Sequence, residues 1–266
     1  MSENLMTPAR LKQKRVLVTR PRERAEELYF LLEDEGAEVI ALPLLELLPP
    51  ADDRPLAAAA EQIHKYGWVV FASPSAAEAL SDALRTAGTQ GRIPELKVAV
   101  VGPRTAKAAK RLGFTVTLEP PLPTGEGLLL ALRPFLSPGI EVLLPTAEEG
   151  RTELQDGLVE LGVNVTRVVA YRSVLAPLDE CVWTLLQGSP PDVVLFGSPR
   201  TVEVFLELGG PQAEAILTHA RAVAIGPTTA ASLREHGVKP ATVAVEPTPA
   251  GLLEAAVRAL EGPMRP

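Results

Sequence analysis

The sequence predicts an α/β fold built on parallel sheets, and three observations carry that reading. Short apolar runs alternate with helical patterns along the whole chain. Several of these runs stop at a Gly-Pro or Ser-Pro turn that opens a helix. Four motif pairs recur in the same order at almost constant spacing. Gly36 and Gly162 are 126 residues apart, and Ser73-Pro74 and Ser198-Pro199 are 125 apart. Gly102-Pro103-Arg104-Thr105 and Gly226-Pro227-Thr228-Thr229 are 124 apart, as are Pro123-Thr124 with Gly127-Leu128-Leu129 and Pro247-Thr248 with Gly251-Leu252-Leu253. Such self-similarity marks a duplicated α/β unit. Strands alternating with helices imply a parallel sheet covered on both faces.

Each element follows from local pattern. Arg15 to Pro21 reads as a buried strand ending in a polar turn. Ala25 to Glu35 is a helix with Leu28, Leu31 and Leu32 on one face and Gly36 as its stop. Val39 to Leu48 is extended and ends at Pro49-Pro50, and a helix is expected over Leu56 to Lys65. Trp68 to Ala72 is a strand, and Ser73 before Pro74 reads as the cap of the next helix. Ser75-x-x-Glu78 is a rival capping box. Val98 to Val101 leads into the first Gly-Pro-x-Thr turn, whose helix ends near Gly113. Thr115 to Leu118 is a short strand, and Pro123 to Gly127 opens the helix Leu128 to Phe135.

The second cycle begins at Val142 to Thr146, with a helix from Thr152 to Leu161 and an extended run from Val165 to Leu175. Val193 to Gly197 ends at Ser198-Pro199-Arg200. The apolar run through Ile225 stops at Gly226-Pro227, and a helix is expected to open on Thr228 or Thr229. Thr242 to Val245 is a strand, and Pro247-Thr248-Pro249 opens the last helix.

Composition narrows the function. The chain is 46% hydrophobic and 22% charged, as a globular protein is. A net charge of −7 argues against nucleic acid as the main partner, and 4% aromatics leave too few rings for base stacking. Cys181 is the single cysteine, so internal disulfides and thiolate metal sites are excluded. Cys181 shares a helical pattern with Trp183 and Leu185 and reads as a packing residue. His64 and His219 lack a ligand-spaced partner, and His236 precedes Gly237 at a helix end, so no metal site is indicated. No apolar stretch is long enough to span a membrane, which takes about 18 residues, and no signal peptide is evident. A cytoplasmic location is expected. No dinucleotide fingerprint, phosphate-binding loop or nucleophile elbow is present.

What remains is a set of hydroxyl-bearing helix starts. Any one of them needs no explanation beyond capping. Their repetition in both halves points further, because ligands of open parallel sheets sit at the carboxyl ends of the strands. Helix N-termini there present free N–H groups and a positive dipole end, which suit an anion, and several together suit a ligand with many carboxylates. Arg20, Arg104, Arg151 and Arg200 sit at or just after such turns. Tyr171 is the one polar aromatic of its extended run.

The chain resembles the uroporphyrinogen-III synthase family. The residues that carry the likeness are Ile225-Gly226-Pro227-Thr228-Thr229-Ala230, Phe196-Gly197-Ser198-Pro199, Pro247-Thr248-Pro249 and Ala170-Tyr171-Arg172-Ser173, with Phe71 to Ala76 and Val100 to Thr105 in the first half. The match spans roughly Arg15 to Leu260. The resemblance implies two similar flavodoxin-like, parallel-sheet domains joined by a two-stranded antiparallel linker, with interleaved chain order. Residues 1–45 and 175–266 would form one domain, 50–168 the other, and 39–49 and 165–175 the linker strands. Spacing alone would suggest two sequential domains.

It also implies the substrate hydroxymethylbilane, a linear tetrapyrrole with eight carboxylates, and no cofactor or metal. Water leaves the hydroxymethyl group, the substituted carbon of ring D attacks, and a spiro intermediate reopens and closes with ring D inverted. Tyr171 matches the family's candidate acid; a phenol is a weak acid but a usable hydrogen-bond donor. Thr105 and Thr229 match family threonines. Ser73, Ser75, Gly102, Ser198, Gly226 and Thr228 are placed by motif as substrate-binding residues, and Arg20, Arg151 and Arg200 by their position at the turns. Hand-over from hydroxymethylbilane synthase and a monomeric state are expected. The rival reading is a cytoplasmic two-lobed small-anion binding protein without catalysis.

Overall fold

A computed structural model describes residues 9–20, 25–91, 96–150, 152–177 and 179–262. The chain divides into two compact units, Met1–Glu46 with Leu175–Pro266, and Leu47–Val174. It begins in the first unit with β1 (Arg15–Val18), α1 (Glu26–Asp34) and β2 (Glu38–Ala41), and passes to the second within β3 (Leu45–Leu48). The second unit continues through α2 (Arg54–Glu61), β4 (Trp68–Phe71), α3 (Pro74–Thr86), β5 (Lys97–Val100), α4 (Pro103–Arg111) and β6 (Val116–Leu118). It ends with α5 (Gly125–Leu132), β7 (Glu141–Ala147), α6 (Glu153–Glu160) and β8 (Asn164–Leu175). The chain then completes the first unit with α7 (Glu180–Gly188), β9 (Val193–Phe196), α8 (Pro199–His219, kinked at Gly210), β10 (Arg221–Ala224), α9 (Pro227–Glu235), β11 (Thr242–Val243) and α10 (Pro249–Glu261).

The first unit holds a five-stranded sheet in the order β11-β10-β9-β1-β2, and its pairs are parallel. The second holds a six-stranded sheet in the order β3-β8-β7-β4-β5-β6, parallel from β8 to β6. Successive strand residues face opposite layers, as a doubly covered sheet requires. In the first unit Leu17, Val194 and Phe196 pack with Trp183, Phe205 and Leu233, while Val16, Val18, Val193 and Leu195 pack with Leu28, Leu32 and Leu253. In the second, Val69, Phe71, Val98 and Val100 pack with Leu80 and Ala109, while Trp68, Val70, Val142 and Leu144 pack with Leu128, Leu132 and Leu158.

The duplicated sequence and the compact unit are different objects. Strand starts repeat as Arg15 and Glu141, Glu38 and Asn164, Trp68 and Val193, Lys97 and Arg221, and Val116 and Thr242, each pair 124 to 126 residues apart. Yet β1 and β2 of the first copy share a sheet with β9 to β11 of the second, and β7 and β8 share one with β4 to β6. Each sheet is assembled from exchanged parts of the two copies.

The extended run expected over Val39 to Leu48 is two strands in different sheets. Pro43 has no N–H to give to a ladder, so pairing is interrupted there. Leu42 and Leu44, 2% and 1% exposed, still donate their amides to the carbonyls of Val18 and Thr19. Beyond them β3 pairs with β8. The Cys181 reading is corrected too. α7 buries Trp183 and Leu186, while Cys181 and Leu185 face solvent, because buried positions on a helix recur at three and four residues, not two. Among the described residues no helix is long and apolar enough to cross a membrane.

Candidate active site

At the carboxyl ends of the strands the helix starts fall into two kinds. Ser73, Thr124, Ser198 and Thr248 are true caps. Each is extended, and each side-chain oxygen accepts an N–H from the helix's first turn: Ala76 at 3.2 Å, Gly127 at 3.1 Å, Thr201 at 3.3 Å and Gly251 at 3.0 Å. Ser198 and Thr201 form a reciprocal box. Proline follows Ser73 and Ser198 directly, its fixed φ pre-set for the first helical position. The cap of α3 is therefore Ser73 and not Ser75, which is the second residue of the helix.

The two Gly-Pro helices have no side-chain cap. α4 opens on Pro103 behind Gly102, and α9 on Pro227 behind Gly226, so the helix does not open on Thr228 or Thr229 as expected. Pro227 takes the first helical position because that position needs no N–H donor. Arg104 and Thr228 are second in their helices and exposed; Thr105 and Thr229 are third and buried, at 3% and 1% exposure. The amides at these second and third positions are the ones a capping side chain would otherwise occupy, and they present donors to an anion.

Tyr171 is set by a flaw in the ladder. β7 and β8 run in register from Glu141 with Asn164 to Thr146 with Val169, then slip so that Ala147 faces Tyr171. One extra residue, Ala170, is accommodated in β8. Strict alternation would send Ala170 and Tyr171 to opposite faces; with the bulge both pack on the cluster of Val69, Phe71 and Ala76. That face carries the start of α3. The Tyr171 hydroxyl lies 3.1 Å from Ser73 Oγ, so the cap of α3 and the phenol form one hydrogen-bonded pair.

The arginines separate. Arg20 follows β1, and its guanidinium lies over Gly197, where a Cβ would meet it at 3.7 Å, beside the Ser198 turn. Arg200 is exposed and paired with Glu203 at 3.1 Å on its own helix, so its charge is already answered. Arg104 is exposed at the uncapped start of α4. Arg151 lies outside the described residues. Sequence reasoning passed over Arg167, whose Nη2 reaches the carbonyls of Ala147, Glu148 and Gly150 at 3.3, 3.4 and 3.4 Å. Its one signal is a cation in the run Val165 to Leu175. Among the described residues no group of three or more His, Cys, Asp or Glu is placed to hold a metal ion. His236 ends α9 with Nδ1 2.9 Å from the Ser232 carbonyl, a structural contact.

The family model described as uroporphyrinogen-III synthase HemD matches residues 26–254. A protein of Methanothermobacter thermautotrophicus assigned as a uroporphyrinogen-III synthase is 36% identical over 232 residues, covering 85% of this chain and 90% of that one. The uroporphyrinogen-III synthase of Synechococcus elongatus is 29% identical over 230 residues, covering 84% and 86%. Among solved structures, a mutant uroporphyrinogen III synthase of Thermus thermophilus superposes with a TM-score of 0.62 at 23% identity, covering 93% of this chain and 99% of that one, which shows the shared fold. With a family match over most of its length and relatives aligned nearly end to end, the chain belongs to the uroporphyrinogen-III synthase family.

Proposed function

We propose that this protein closes hydroxymethylbilane to uroporphyrinogen III with inversion of ring D, without a cofactor, as a cytoplasmic monomer supplied by hydroxymethylbilane synthase. In this reading the Tyr171 hydroxyl gives its proton to the departing hydroxyl group, and water leaves. The substituted carbon of ring D then attacks to form the spiro intermediate, which reopens and closes inverted. The substrate also closes unaided without inversion, so the protein's task is control of geometry more than of barrier height. The uncapped turns at Gly102 and Gly226 hold carboxylates through their amides, with Thr105, Thr228 and Thr229 beside them. Ser75 adds a hydroxyl at the start of α3 in the second unit, and Arg20 and Ser198 add a guanidinium and a hydroxyl at the start of α8 in the first. We read β3 and β8 as an antiparallel ribbon linking two flavodoxin-like domains. The bonds from Ala176 N to Leu44 O and from Arg172 Nε to Pro49 O, which run in opposite sense along the two segments, support it.

The observation that carries the proposal is the pairing of the Tyr171 and Ser73 hydroxyls at a strand's carboxyl end. The test is to incubate the protein with freshly generated hydroxymethylbilane and separate type I from type III product. Type III product is expected, and Tyr171→Phe is expected to lower turnover about a hundredfold, the lower range for general-acid catalysis. Binding without conversion would leave an anion-binding protein, and wild-type turnover in Tyr171→Phe would remove the acid role.

A further inference from the structure

We propose that Arg167 is a positioning residue for Tyr171, acting through the turn that ends β7. This rests on the reading of Tyr171 given above. One guanidinium nitrogen of Arg167 is shared among the carbonyls of Ala147, Glu148 and Gly150, and the amide of Gly150 closes the turn on the carbonyl of Ala147 at 3.0 Å. From that turn the amide of Glu148 donates to the carbonyl of Tyr171 at 2.9 Å. Tyr171 in turn reaches Ser73. The links form a chain: guanidinium, turn, tyrosine backbone, phenol. They also lie at the ladder's irregularity, between Thr146 and Ala147. An extra residue in a strand disrupts local pairing, and something must hold the slipped register. Arg167 faces Leu144 on the regular part of the ladder, so it ties the turn to the strand it has stepped away from.

The same side chain bears a cost. Its Nε is buried with no hydrogen-bond partner, and the buried Thr146 Oγ1 nearby along β7 is also unpaired. An apolar residue would fill this position of the sheet without that penalty. What an apolar residue lacks is a charged N–H donor that three carbonyls of one turn can share.

The test uses the full-length protein with Arg167→Met, which keeps the apolar stem, and Arg167→Lys, which keeps the charge. Displacing a reacting group by about 1 Å costs up to a hundredfold in rate. Arg167→Met is accordingly expected to lower kcat at least tenfold with KM changed less than about twofold, and Arg167→Lys to recover part of the loss. In the Tyr171→Phe background the same substitution is expected to change kcat less than about twofold, because its effect is transmitted through the phenol. The protein labelled with 3-fluorotyrosine supplies a readout independent of turnover. The ¹⁹F resonance of Tyr171, assigned by its loss in Tyr171→Phe, is expected to move in both Arg167 variants while that of Tyr29 in the first unit stays in place. An unmoved Tyr171 resonance, or the same loss of kcat in both backgrounds, overturns the proposal. Wild-type turnover in Tyr171→Phe alone removes the acid role, and the resonance still decides whether Arg167 positions the ring. If Arg167→Met does not fold, Arg167→Lys carries both measurements.

Discussion

Replacing Ser73 with alanine separates two jobs that one hydroxyl performs. Its oxygen caps α3 by accepting from Ala76 N at 3.2 Å, and it pairs with the Tyr171 hydroxyl at 3.1 Å. Loss of a serine or threonine cap costs about 1 kcal/mol of stability. Loss of a neutral hydrogen bond costs about another 1 kcal/mol; where that bond orients a reacting phenol, the loss is about fivefold in rate. Thr124→Ala is the matched control. It removes a cap of the same kind in the same unit, 3.1 Å from Gly127 N, with no tyrosine attached. Thr124→Ala is expected to lose about 1 kcal/mol in urea denaturation of the second unit, and Ser73→Ala about 2 kcal/mol, from its cap and its bond to Tyr171 together. Only Ser73→Ala is expected to lose about fivefold in kcat for type III product. Adding Tyr171→Phe closes a double-mutant cycle, with an expected coupling of about 1 kcal/mol. Equal kcat in the two alanine variants, or a cycle additive within about 0.3 kcal/mol, refutes a working link between Ser73 and Tyr171.

Other perturbations follow from the same geometry. At Gly226 a Cβ would meet nothing within 4 Å, so Gly226→Ala is expected to leave stability within about 0.5 kcal/mol while raising KM severalfold. An unchanged KM would remove that turn from carboxylate binding. Gly127→Ala and Gly251→Ala are the opposite case, because the new Cβ would lie 2.2 Å from the Leu122 carbonyl oxygen and 2.1 Å from that of Glu246. Each is expected to destabilise its own unit by about 2 kcal/mol or more in chemical denaturation, since backbone atoms cannot step aside. On the acid side, Arg10 donates its amide and guanidinium to Glu35 and holds that carboxyl below the ordinary glutamate range. The stabilisation from a lowered folded-state value is full above the unfolded value near pH 4.3 and is lost as pH falls from there through the folded value. Glu35→Gln should therefore lower the unfolding free energy from urea denaturation at pH 7 by less than about 1 kcal/mol, for a pair 35% and 22% exposed, and the gap should close below about pH 4. A gap of constant size at pH 3 would refute the pairing.

The helix starts were legible in the sequence because their causes are local. Ser73-Pro74 and Ser198-Pro199 are a cap and a pre-set φ side by side, and the structure realises both. The α/β alternation and the duplication were equally plain, and Tyr171 stood out once the family likeness was drawn. Other features had no local signature. Pro43 sits inside an apolar run, and only the pairing on either side shows that it divides two sheets. Alternation along Val168 to Ser173 separates Tyr171 from Ala170, whereas the bulge puts both on one face. Arg167 reads as an ordinary polar strand residue until the turn it gathers is seen.

By itself the sequence determined the α/β alternation, the helix starts at Ser73 and Ser198, and that one pattern is written twice. Those outcomes depend on sterics and hydrogen bonds a few residues in reach. Only the tertiary structure decided that a phenol meets a serine 98 residues away, and it carries the exchange of strands between sheets that the family likeness implied and spacing did not. A strand carries the same donors and acceptors along both edges. Its own residues therefore do not name its neighbour; packing of the whole chain does.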